Sequence, residues 1–156
     1  MRRRIIALTI GCLVSLWVVS VNAAGERFVD HGDGTVTDTV TLLMWAREDN
    51  MGDISWREAE VYCRTPPIAG YRYPDWRMPT VEELRTLYDE ERPGYESDCG
   101  LIVKIHPLFR LSCAWVWTSE QKAIAAYAFN FNKGYKYSTL MLEKKRFRAL
   151  PVRSLR

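Results

Sequence analysis

The spacing of apolar residues changes twice along this chain, which restricts the fold to helices set between two blocks of strands. At the start of the domain, Phe28-Val29-Asp30 and Thr35-Val36-Thr37-Asp38 flank the Gly-rich turn His31-Gly32-Asp33-Gly34. Two short strands are expected there, with a third from Leu42 to Trp45. The period then lengthens. Ser55 stands three residues before Glu58, the spacing of a capping box, and Trp56, Ala59, Tyr62 and Cys63 recur at helical intervals. A helix from Trp56 to about Cys63 follows, and Pro66 and Pro67 end it. Thr80 and Glu83 repeat the capping box after Pro79, with Leu84, Leu87 and Tyr88 as the apolar stripe of a helix to about Asp89. The polar segment Glu90 to Cys99 is expected to be an exposed loop.

Beyond that loop the period returns to two. Trp115 and Trp117 alternate with smaller neighbours, and Tyr127, Phe129 and Phe131 face Tyr135 and Tyr137 across Asn132-Lys133-Gly134, a hairpin pattern. Phe147, Ala149 and Val152 are assigned to a last strand. Trp45, Trp76 and Trp117 are expected in the core, because aromatic side chains bury the most area.

The N-terminus carries the marks of export. Arg2, Arg3 and Arg4 precede an apolar run from Ile5 to Val21, and Val21-Asn22-Ala23 meets the small-residue rule for cleavage. Residues 1–23 are therefore assigned as a signal peptide and residues 24–156 as one domain, periplasmic or secreted and off the membrane after cleavage. The alternative is a retained anchor, since the run sits at the lower limit of about 17 residues for a membrane span. Cleavage changes the charge balance. The chain has 22 basic and 19 acidic residues, and the leader holds only the three arginines, so the mature part is balanced at 19 against 19. At 133 residues it is long enough for one core and short for two.

Cys12 leaves with the leader, so Cys63, Cys99 and Cys113 remain. Cys99 and Cys113 enclose a segment with Gly100 and Pro107, which suits a loop-closing bridge. Cys63 lies on the first helix and is the odd thiol.

Several motifs together resemble one family. Asp33-Gly34-Thr35-Val36-Thr37-Asp38, Leu43-Met44-Trp45, Trp56 through Ala59 to Tyr62-Cys63, Asp75-Trp76-Arg77-Met78-Pro79-Thr80 with Glu83-Leu84, Trp117-Thr118-Ser119 and Pro151-Val152-Arg153 occur in that order. They are similar to the Lcl C-terminal domain family, named for the end domain of a collagen-like bacterial adhesin. The resemblance implies an α+β, C-type-lectin-like domain with two helices packed on antiparallel sheets and the first and last strands brought together. It implies no activity. This chain departs from the family in having Leu42 where a glycine usually precedes the Leu-Met-Trp strand. That turn must avoid a left-handed conformation or accept strain.

Catalytic patterns are not found. His31 and His106 fit no metal-binding spacing, no Gly-x-Ser-x-Gly elbow occurs, and the acidic turn at Asp30–Gly34 has no distal glutamate to complete a calcium loop. Motifs for calcium-dependent sugar binding are also missing. The expectation is a non-catalytic binding module with no cofactor and no metal, recognising a glycan, polymer or protein at the cell envelope. Two alternatives stay open: a copper or redox enzyme using Cys99 and Cys113, and a structural assembly subunit with Cys63 free to cross-link. Oligomeric state is left open.

Charge is unevenly placed along the mature chain. From Asn132 to the C-terminus there are eight basic residues and one acid, and from Glu48 to Asp98 there are 13 acids and six bases. One reading is that these regions pair or are simply solvated. The other is a ligand patch of Lys133, Tyr135, Lys136, Tyr137, Lys144, Lys145 and Arg146 for an anionic polysaccharide, since cations and aromatic faces suit sugars bearing sulfate or carboxylate. An envelope protein is the second candidate partner. Nucleic acid is excluded for a domain exported away from it.

Overall fold

A computed structural model describes residues 26–155. The assigned signal peptide, its cleavage site and Cys12 lie outside them. Among the described residues ten strands form three sheets, joined by two α-helices and a short 3-10 helix at Ala69–Tyr71. β1 (Phe28–Asp30), β2 (Thr35–Asp38) and β3 (Leu43–Ala46) make an antiparallel meander. α1 (Trp56–Arg64) and α2 (Val81–Leu87) follow. A small ribbon pairs β4 (Tyr95–Glu96) with β5 (Ile102–Val103). Then come β6 (Trp115–Lys122), β7 (Ala125–Asn130), β8 (Tyr135–Leu140), β9 (Phe147–Arg148) and β10 (Val152–Ser154).

Both capping boxes form. Ser55 Oγ accepts the Glu58 N–H at 3.4 Å, and Glu58 Oε2 accepts the Ser55 N–H at 2.9 Å. The Thr80 and Glu83 pair repeats this at 3.1 and 2.8 Å, and Glu83 also grips the Arg77 guanidinium with both oxygens. α2 stops at Leu87, two residues short of the expected end, because Tyr88 turns extended and bridges Ile105.

The second large sheet has the order β8-β7-β6-β9 and carries a helix on each face. α1 packs with Trp117, Ala126, Ala128 and Phe147, while α2 packs with Val116, Phe129 and Phe131. Alternation along β6 sends Trp117 one way and Val116 the other, so one strand feeds both cores. Trp117 is fully buried, its ring stacked on Phe147 at 4.3 Å and its indole N–H donating to the Ile54 carbonyl. Trp45 and Trp76 are buried as expected.

Several expectations need correction. The last strand is two: β9 runs parallel to β6, and β10 crosses to the first sheet and pairs with β3, with Pro151 at the switch. The first and last strands share a sheet of order β1-β2-β3-β10 but lie at its opposite edges. The loop from Glu90 to Cys99 contains β4, and Tyr95 closes it by donating to the Phe109 carbonyl while accepting the Leu111 N–H. Leu42 takes the strained option, with φ at 56° and its side chain in solvent. Cys99 and Cys113 are joined, as expected.

Candidate functional site

The sheet face that holds α1 runs past the end of that helix. There the ladder sets Phe147, Trp115, Asn130 and Tyr135 side by side across four strands, with Trp117, Ala128 and Tyr137 in the adjacent row. Ala128 and Asn130 are small, so Trp115 on β6 reaches over β7 to β8. Its ring lies 5.7 Å from both Tyr135 and Tyr137, edge-on to the first and tilted to the second. Such geometry contributes about 0.5–1.5 kcal/mol per pair beyond burial and holds the rings in place. Trp115 is half-buried, and Tyr135 and Tyr137 stay 47% and 52% exposed, leaving an aromatic ridge open to solvent. Phe147 closes one end, 6.0 Å from Trp115.

Five of the seven expected patch residues lie in this ridge or on the chain segments that adjoin its ends. Tyr135 and Tyr137 are two of its three rings. Lys133 lies in the turn that leads into β8, with its N–H held by the Asn130 side chain. Lys145 and Arg146 immediately precede Phe147. All three cations are exposed and form no ion pair among the described residues.

Lys136 and Lys144 do not join them. Lys136 follows the period of two onto the opposite face, where its ammonium sits 5.1 Å from the Tyr127 ring. Lys144 reaches the α1 cap and pairs with Glu58 at 2.6 Å. Trp115 is not among the expected patch residues, since its contacts cross an intervening strand. The register of the hairpin and its neighbour was the signal that could have found it.

The Glu58 carboxyl is drawn down to about 2, first by the Lys144 ammonium and then by the Ser55 hydroxyl and N–H. The helix cap therefore carries a carboxylate whose stabilising effect is complete above its unfolded value of 4.5 and is lost as pH falls toward 2. In Lys144→Ser the Glu58 titration midpoint is expected to rise toward 4.5, as followed by carboxyl NMR shifts. An unchanged midpoint would mean that the cap alone lowers it.

The β9 backbone is held by a polar network around the buried Arg148. Arg148 donates to Ser112 Oγ at 2.6 Å and to Asp53 Oδ1 at 2.7 Å, and Asp53 also accepts the Arg146 N–H. Asp49 accepts from the Ser112 N–H and hydroxyl, and burial pushes its carboxyl above the ordinary range. The acidic and basic segments of the chain thus meet at Asp53–Arg148, where the arginine is buried, and at the exposed Glu58–Lys144 pair.

No group of three or more histidine, cysteine, aspartate or glutamate side chains is placed to hold a metal among the described residues. Cys99 and Cys113 are consumed in their disulfide and offer no thiolate pair to copper. Cys63 is buried in the α1 core, and burial raises its thiol far above the usual value, which removes it as an exposed cross-linking site. No helix among the described residues is long and apolar enough to cross a membrane.

The fold, the paired helices and the order of the motifs converge with a family model described as the Lcl C-terminal domain, which matches residues 34–153. The chain belongs to that family. As a member of the Lcl C-terminal domain family it has a C-type-lectin-like α+β fold. The matched span runs from β2 into β10, so the aromatic ridge and the disulfide both lie within it, while β1 lies before it. A comparison with curated proteins gives no match.

Proposed function

We propose that this domain is an exported, non-catalytic binding module for an anionic polysaccharide, with its site on the ridge of Trp115, Tyr135 and Tyr137. The observation that carries this reading is the open aromatic ridge together with the exposed cations Lys133, Lys145 and Arg146, none of which is held in an ion pair among the described residues. Sugar rings stack on aromatic faces through their C–H surfaces, and free cations attract sulfate or carboxylate groups from a distance. The disulfide supports a periplasmic or secreted location, where such bridges persist.

On a sulfated-dextran column the exported protein is expected to be retained and to elute in moderate salt, since exposed charges are screened over about 8 Å at physiological ionic strength. Lys133→Ser, Lys145→Ser and Arg146→Ser combined should abolish retention. Lys136→Ser and Lys144→Ser should elute close to wild type, because neither lysine belongs to the ridge. An unchanged profile for the triple variant would remove this site.

A further inference from the structure

Most sheet edges in this molecule are short or covered, and β8 is the exception. The outer edge of β10 exchanges hydrogen bonds with Arg77 at 2.9 and 3.0 Å. The segment of β9 receives the N–H groups of Ile54 and Asn50, onto the carbonyls of Phe147 and Ala149. β1 has only three residues. β8 has six, none of them buried, and pairs with β7 alone.

The phase of the ladder shows which groups are open. Met141 N–H donates to the Ile124 carbonyl at 3.1 Å, which makes Ile124 and Met141 a hydrogen-bonded pair. Bonded pairs recur at every second residue of an antiparallel ladder, so Tyr135, Tyr137 and Thr139 turn their backbone groups toward β7. Lys136, Ser138 and Leu140 turn theirs outward. The Leu140 carbonyl is taken by the Glu143 N–H, which leaves both groups of Lys136 and Ser138 and the N–H of Leu140 open. An exposed edge of this length is a template for another strand, and Lys136 is the only charge that guards it.

We propose that two copies of this chain associate by pairing their β8 strands antiparallel about a two-fold axis at Tyr137, joining two four-stranded sheets into one. This register is self-complementary. The open groups of Lys136 on one copy meet those of Ser138 on the other. Tyr137 faces Tyr137, Tyr135 faces Thr139, and Lys133 falls opposite Met141, so no cation stands directly against another. Shifting the centre to Ser138 would direct Lys136 to the Leu140 carbonyl, which is already occupied. A two-fold perpendicular to the sheet keeps each face on its own side, and both aromatic ridges then form one surface. That last consequence rests on the polysaccharide reading; the dimer does not.

Sedimentation equilibrium of the exported protein from micromolar to millimolar concentration is expected to show the mass rising toward twice that of one chain. Ser138→Pro removes an open N–H, leaves every proposed sugar contact in place, and should stay monomeric while keeping its Cys99–Cys113 link. Tyr137→Cys gives a readout that does not depend on a proline being tolerated. Facing residues in a non-bonded pair lie about 4.5 Å apart at Cα, within the range a disulfide spans. Tyr137→Cys should therefore give a reductant-sensitive covalent dimer under mild oxidation, and Ser138→Cys, which faces Lys136, should not. The proposal is overturned if wild type stays monomeric throughout, if folded Ser138→Pro still dimerises, or if Tyr137→Cys links no faster than Ser138→Cys.

Discussion

Trp117→Ala is expected to cost about 3–5 kcal/mol of folding stability, the range for truncating a large buried aromatic. The ring is fully buried, lies stacked on Phe147, and fills the junction of β6, α1 and β9. Its indole N–H also satisfies the Ile54 carbonyl just ahead of the α1 cap. Truncation would open a cavity and leave that acceptor without its donor, and the two effects would not simply add. Domains of this size hold about 5–15 kcal/mol in total, so the variant should unfold at far lower urea concentration. Trp117→Phe keeps most of the packing and loses the hydrogen bond, and should cost clearly less. A loss below about 1 kcal/mol for Trp117→Ala would contradict its placement in the core.

The second large effect belongs to the disulfide. Cys99 and Cys113 are separated by 14 positions, and a closed loop of about 15 residues contributes roughly 3 kcal/mol through the lost freedom of the unfolded chain. The bridge ties the β4–β5 ribbon to the residues just before β6, next to Ser112, whose N–H and hydroxyl hold the buried Asp49 carboxylate. Replacing both cysteines by serine should lower stability by about that amount, and reductant should lower wild type to the same level. The double variant should not respond to reductant, because the remaining Cys63 is a buried thiol with no disulfide partner among the described residues. A reductant response in the double variant would place the redox-sensitive bond elsewhere.

What could be read from the sequence was local. The capping boxes need only a hydroxyl and a carboxylate three residues apart, so Ser55–Glu58 and Thr80–Glu83 were visible without any tertiary information. The β7–β8 hairpin was equally legible, since its turn and its alternating aromatics lie within one short segment. The separation of β9 from β10 was hidden, because Phe147, Ala149 and Val152 lie in one short apolar segment, yet Phe147 and Val152 find partners in different sheets. The patch was legible in composition more than in shape. Alternation already sends Lys136 away from Tyr135 and Tyr137, whereas the neighbours of the cluster in sequence suggested a single patch. The capture of Lys144 by Glu58 joins positions 86 residues apart, and no spacing rule reports such a contact. Trp115 entered the ridge only once β6, β7 and β8 were laid in register.

The proposed site is tested most directly by NMR of the exported protein during titration with a short sulfated oligosaccharide. The largest shifts should fall on the Trp115 indole N–H, the Tyr135 and Tyr137 ring protons, and the amides from Lys145 to Phe147. Trp45 and Trp76, buried away from the ridge, should not move. Shifts confined to another surface, such as the exposed turn at Ala69–Tyr71, or the absence of saturable shifts anywhere, would contradict the account.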